Sequence, residues 1–247
     1  MLKIQALLYL IFIFIFLFFS GAHAARISIK NNCPYMIWPA SLTADQKPQL
    51  ALTGFQLAPG ASNFVDTPVP WTGRFWARTD CSTDDSGKFA CASPGDCASG
   101  QVSCNGNGGQ TPATLVEFTI AQGGGQDFYD VSLVDGFNLP VSVTPQGGNG
   151  DCRSSSCAAN VNANCPSELQ VKKGDGSVVG CKSACTAFNQ PKYCCSPPND
   201  KPETCPPTDY SMKFSQQCPQ AYSYAYDDKK GTFTCFGGPN YAITFCP

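Results

Sequence analysis

Sixteen cysteines in a chain of 247 residues restrict the available folds more than any other feature. An even count at this density reads as a disulfide framework of up to eight bridges, if the chain folds in an oxidising compartment. Each bridge closing a loop of ~15 residues contributes roughly 3 kcal/mol in the chain-entropy account. The competing use of cysteine is a thiolate metal site, with tight spacings such as Cys181 to Cys185 as candidates. Cys194 and Cys195 are adjacent and should take separate partners, which pins two chain segments at one point. Spacing alone does not select a connectivity.

The N-terminus sets the compartment. Lys3 precedes an apolar run from Ala6 to Phe19, followed by Ser20, Gly21 and Ala22-His23-Ala24. This is the order of a signal peptide over residues 1–24, cleaved to leave Ala25 first, and the run is shorter than the ~20 residues that span a bilayer. A secreted, extracellular protein of the apoplast type is expected, with residues 25–247 as its mature domain. The only histidine, His23, lies in the removable segment. Without imidazole, Ser-His-Asp and Cys-His hydrolysis and His-containing zinc sites are removed from consideration, and secretion argues against a Cys-only metal site. No metal and no cofactor are expected. Any catalysis must come from carboxylates.

A formal net charge of −2 gives no electrostatic drive toward nucleic acid or anionic lipid. There is no second long apolar run and no Asn-x-Ser/Thr sequon. The expectation is a monomer with no stable membrane anchor and no N-glycan.

With 23 Gly and 20 Pro between alternating apolar runs, the chain should be mainly β. Candidate strands are Arg26 to Asn31, Gly73 to Thr79, Leu115 to Ile120, Asp127 to Leu133, Val141 to Thr144, Thr232 to Cys235 and Tyr241 to Phe245. Residues 79–105 contain a small cysteine-clamped loop region. Residues 152–218 read as a disulfide-rich lobe too poor in apolar residues to build its own core, with only Cys181 to Phe188 helical.

Several stretches point together to one family: NNCPYMIW at 31–38, GRFWARTDC at 73–81, DFYDVSLVDGFN at 127–138, YCC at 193–195, CPQAYSYAYDD at 218–228 and NYAITFCP at 240–247. The chain resembles the thaumatin-like proteins, the fifth class of plant pathogenesis-related proteins, and within them the fruit-type members described as glucan endo-1,3-beta-glucosidases and allergens. The resemblance implies a flattened β-sandwich with a disulfide-rich lobe. It also implies the bridges Cys33–Cys246, Cys81–Cys91, Cys97–Cys104, Cys152–Cys235, Cys157–Cys218, Cys165–Cys181, Cys185–Cys194 and Cys195–Cys205. One departure stands out, an extra residue between Cys91 and Cys97 relative to the family's Cys-x-Thr-Gly-Asp-Cys pattern.

The family's acidic cleft maps by resemblance onto Arg74, Glu117, Asp130, Asp135 and Asp228, with Asp227 as the alternative to Asp228 and Arg78 as the weaker candidate for the arginine. Strand alternation sends Glu117 away from Val116, Phe118 and Ile120. Asp130 and Asp135 are five apart, so their joint membership needs a bend, for which Asp135-Gly136 has the turn chemistry. Glu117 is expected to be the protonated general acid and Asp130 its ionised partner. Phe128, Tyr129 and Phe137, together with Tyr222, Tyr224 and Tyr226 on an extended segment, are candidate sugar platforms or core residues. The implied function is antifungal defence by binding β-1,3-glucan, or fungal cell-wall polysaccharide generally, with weak endo-β-1,3-glucanase activity. The alternative is a non-catalytic glucan-binding or membrane-perturbing antifungal protein.

Overall fold

The computed structural model describes residues 25–45 and 47–247; the signal segment expected at 1–24 lies outside the described residues. Two five-stranded sheets carry the fold. The first runs in the order β10 (Ser155–Cys157), β9 (Val141–Gln146), β14 (Asn240–Phe245), β1 (Ala25–Asn31), β3 (Ser62–Thr67). The second runs β13 (Phe233–Cys235), β8 (Asp127–Ser132), β7 (Leu115–Ile120), β4 (Trp71–Arg78), β2 (Trp38–Thr43). Two small ribbons, β5 (Cys81–Thr83) with β6 (Phe89–Cys91) and β11 (Gln170–Lys172) with β12 (Val178–Cys181), lie outside the sheets.

Alternation decides which side of each strand turns inward. In β7, Val116, Phe118 and Ile120 are buried while Thr119 is exposed. Ile27 and Ile29 of β1 and Tyr241, Ile243 and Phe245 of β14 bury the facing layer. Aromatic rings interlock the two sheets: Phe118 meets Tyr241 edge-on at 5.0 Å between centroids, and Tyr129 lies 5.2 Å from Tyr241. Polar contacts also cross this core. The Tyr241 hydroxyl donates to Asp127 Oδ2 at 2.8 Å, and the Ala121 amide donates to Asp127 Oδ1 at 2.8 Å, so both oxygens of a carboxylate only 1 % exposed are satisfied.

The eight bridges implied by the resemblance are the eight that form, and no described cysteine is free. Strands β1 and β14 pair in parallel, with Ile29 opposite Ile243, and Cys33–Cys246 ties their C-terminal ends together. The extra residue between Cys91 and Cys97 leaves the fold intact. Its turn is tied down where the Gly95 amide donates to the Gln110 carbonyl and the Trp76 indole donates to the Gly95 carbonyl at 2.8 Å.

Two sequence expectations need correction. Cys181 closes a strand, and the helix there begins only at Ala184, where the Ser183 side chain accepts from the Thr186 amide. A longer helix, Asp209–Gln217, was not expected, because its buried face consists only of Ser211 and Phe214 and gives almost no apolar periodicity. Its start is fixed by a reciprocal cap, the Thr208 hydroxyl accepting from the Ser211 amide while Ser211 Oγ accepts from the Thr208 amide.

The complete framework predicts no alkylatable thiol in the non-reduced, folded protein by mass spectrometry. Tyr241→Phe should leave Asp127 Oδ2 buried without its donor and lower unfolding stability by about 1–3 kcal/mol, read from urea titrations with the disulfides intact.

Candidate functional site

On the outer face of the second sheet three strands align the candidate residues in one row. Arg74 of β4 stands opposite Glu117 of β7, and Glu117 stands opposite Asp130 of β8. Directly opposed residues place their Cβ atoms about 4.5–5.5 Å apart on one side of the sheet. The same alternation that buries Val116 and Phe118 therefore brings an arginine and two carboxylates together on the other side.

Asp135 reaches the row because β8 stops at Ser132 and the chain turns back, the Gly136 amide donating to the Leu133 carbonyl at 2.9 Å. Gly136 has φ of 93°, and a Cβ there would lie 2.5 Å from Pro112 Cβ and 2.6 Å from the Cys181 carbonyl oxygen. Glycine is required at this bend on both counts. Asp135 Oδ2 then lies 3.9 Å from Arg74 Nη1. Asp228 opens a short helix, Asp228–Gly231, and accepts from the Tyr222 hydroxyl at 2.8 Å. Tyr222 is itself fixed beside β8, its amide donating to the Val131 carbonyl and its carbonyl accepting from the Leu133 amide.

The two alternatives fall away. Asp227 is buried and spends Oδ2 on the Ser223 amide and hydroxyl, at 3.2 and 2.7 Å, so it does not line the cleft. Arg78 is fully buried and donates to the Trp38 and Val102 carbonyls at 3.1 and 2.6 Å, holding the loop region rather than facing a substrate.

The row divides a continuous cleft. One side, about 570 Å³, extends past Thr72, Gln49 and Phe128; the other, about 360 Å³, extends past Asp135, Tyr222 and Asp228. Arg74, Glu117 and Asp130 line both. Of the aromatic candidates, Phe128 is 43 % exposed in the first half and Tyr222 lines the second. Tyr129 and Phe137 belong to the core, and Tyr224 lies outside the cleft because residues 221–227 fold as a turn instead of the expected extended segment. Ser132 was missed, although it sits two residues beyond Asp130 on the same strand face, a placement that alternation alone would have given.

The two carboxyls of the row are not equivalent. Burial raises Glu117 above the ordinary glutamate range; Arg74 opposes the shift, Asp135 adds to it and the Ser132 hydroxyl counters it. Burial, with the neighbouring Glu117 adding to it, pushes Asp130 up to about 8, with no cation in opposition. Asp130 Oδ2 is buried without a hydrogen-bond partner among the described residues. These surroundings favour the order opposite to the expected one, with the proton on Asp130 and Glu117, helped by Arg74 and Ser132, as the partner that ionises more readily.

This order has a sign that can be measured. Unfolded aspartate titrates near ~3.9, so between about pH 4 and 8 the folded state binds the extra proton, and stability falls as pH rises through that window. Asp130→Asn should flatten the fall and exceed the parent by on the order of 2 kcal/mol above pH ~8, after discounting for partial solvent access. Urea titrations from pH 4 to 9 provide the check.

Comparison with known proteins agrees with the fold. The Thaumatin family model matches residues 31–247. A Prunus avium protein named glucan endo-1,3-beta-glucosidase is 74% identical over 229 residues, covering 93% of each chain. Thaumatin-like protein 1 of Prunus persica is 69% identical over 247 residues, covering 100% of both. Among solved structures, a laminaripentaose-producing beta-1,3-glucanase in complex with laminaritetraose superposes with a TM-score of 0.59 at 11% identity, covering 90% of this chain and 98% of that one. With eight bridges, a β-sandwich and a match across nearly all the described residues, the chain belongs to the thaumatin family.

Proposed function

We propose that this chain is a secreted plant defence protein, released by cleavage after Ala24, that binds the β-1,3-glucan of fungal walls in the acidic cleft and hydrolyses it slowly. The observation that carries the reading is the in-register pair Glu117–Asp130 at the waist of the cleft, Asp130 raised to about 8 with no cation beside it and Glu117 raised with Arg74 and Ser132 in opposition. The relative named glucan endo-1,3-beta-glucosidase supports it. So does the fold shared with a glucanase solved in complex with laminaritetraose. Secretion is in keeping with the disulfide framework, and among the described residues no helix is long and apolar enough to cross a membrane.

Glycoside hydrolysis needs an acid for the departing oxygen and an ionised partner for the anomeric carbon or for water. Asp130 donates its proton to the glycosidic oxygen as the bond to the anomeric carbon breaks. Glu117, ionised, serves as nucleophile or as base for water. Arg74 offsets the charge of Glu117 and Asp135, and Phe128 and Tyr222 offer ring faces to sugar on either side of the row.

Reducing-end release from purified β-1,3-glucan tests the assignment. Asp130→Asn and Glu117→Gln should each lose on the order of 10²-fold or more in turnover while pull-down on insoluble glucan changes only a few-fold. Activity should fall above about pH 8 as Asp130 deprotonates, and fall again in acid as Glu117 takes up its proton. A parent protein that is pulled down but releases no ends at any pH from 4 to 9 would reduce the cleft to a recognition surface.

A further inference from the structure

Two side-chain oxygens among the described residues are buried without a hydrogen-bond partner: Asp130 Oδ2, in the cleft, and Asn162 Oδ1. Asn162 lines a separate pocket of about 430 Å³ that shares no residue with the cleft. This pocket lies where the end of β4, the Cys33–Cys246 bridge and the β11–β12 ribbon meet, so three parts of the chain contribute to it.

We propose that this pocket is a second binding site for a neutral, hydroxyl-rich ligand, a saccharide chain. Three of the polar residues in its wall, Asn138, Asn160 and Asn162, are amides. Asn162 Nδ2 donates to the Asn138 carbonyl at 3.1 Å, which fixes the amide's orientation and leaves Oδ1 as an acceptor that lacks a donor. Asn162 lines the pocket, so this unpaired acceptor lies in its wall. Asn160 precedes a short 3₁₀ turn but makes no side-chain cap with it, so its amide is free for a ligand. The two charges in the wall, Asp80 and Lys173, pair with each other, and Asp80 also accepts from the Ser93 hydroxyl, so an ion finds no uncompensated partner. Leu139, Val178 and Val179 supply apolar wall beside Thr79, with the Tyr35 ring 45 % exposed at the rim. Amides, an exposed ring and an apolar floor without net charge match the alternating hydroxyl edges and C–H faces of a pyranose.

The site does not depend on hydrolysis or binding in the cleft. Its test uses the full secreted protein, labelled with ¹⁵N and titrated with laminaritetraose and, separately, with xylotetraose to about 10 mM, a range that captures millimolar affinity. At least one neutral tetrasaccharide should saturably shift the Asn160 and Asn162 side-chain amides and the Val178 and Val179 backbone amides. The response should persist in Glu117→Gln. Tyr35→Ala should weaken it about fivefold or more, equivalent to roughly 1 kcal/mol. Asn162→Ala should weaken it similarly; because that change also removes the bond to Asn138, the exposed Tyr35 variant carries the decision if Asn162→Ala fails to fold. No shift at these four residues with either sugar, or a shift unchanged in Tyr35→Ala, overturns the proposal. Loss of turnover in the cleft variants with this response intact separates the two sites.

Discussion

The phase of β7 between β4 and β8 is the constraint on which both the core and the cleft depend. Val116, Phe118 and Ile120 must face the opposite sheet, and with a period of two that leaves Glu117 no choice of side. Pairing with β4 and β8 then sets Arg74 and Asp130 beside it. A slip of one residue would send the apolar set to solvent and the carboxylate into the aromatic layer around Tyr241, so the core enforces the geometry of the row.

Within that row, desolvation outweighs the visible ion pair. Arg74 is more than a third exposed and its nearest approach to Asp135 is 3.9 Å, a geometry in which water screens most of the attraction. Asp130 has neither a cation nor a hydrogen-bond donor on its buried oxygen, and its charge would be costly to hold there. The arginine thus opposes the shift of Glu117 but leaves Asp130 without a countercharge.

Much of this was legible in the sequence where alternation is strong. The strand expected at Leu115 to Ile120 coincides with β7, and that at Arg26 to Asn31 differs from β1 by one residue. Strands β2 and β3 were not expected: Trp38–Thr43 contains Pro39 and is buried at Pro39, Ala40 and Ser41 in succession, and Ser62–Thr67 is a polar edge strand. Membership of the cleft came from resemblance, and what sequence lacked was the environment. Asp227 and Asp228 are chemically identical neighbours, and only the hydrogen bonds to Ser223 and Tyr222 separate them. The order of ionisation turns on the same environment, since side-chain length says nothing about which carboxyl lacks a donor.

The bond between Cys33 and Cys246 joins positions 213 apart, and every other bridge lies within the interval it closes. Covalently the protein is a large ring subdivided by smaller ones. A protease that severs one peptide bond in it, for instance in the exposed loop around Gly147 to Gly150, opens the ring but releases nothing. The nicked molecule keeps its size until it meets a reductant. Wherever reductants are scarce, such damage would accumulate without loss of mass.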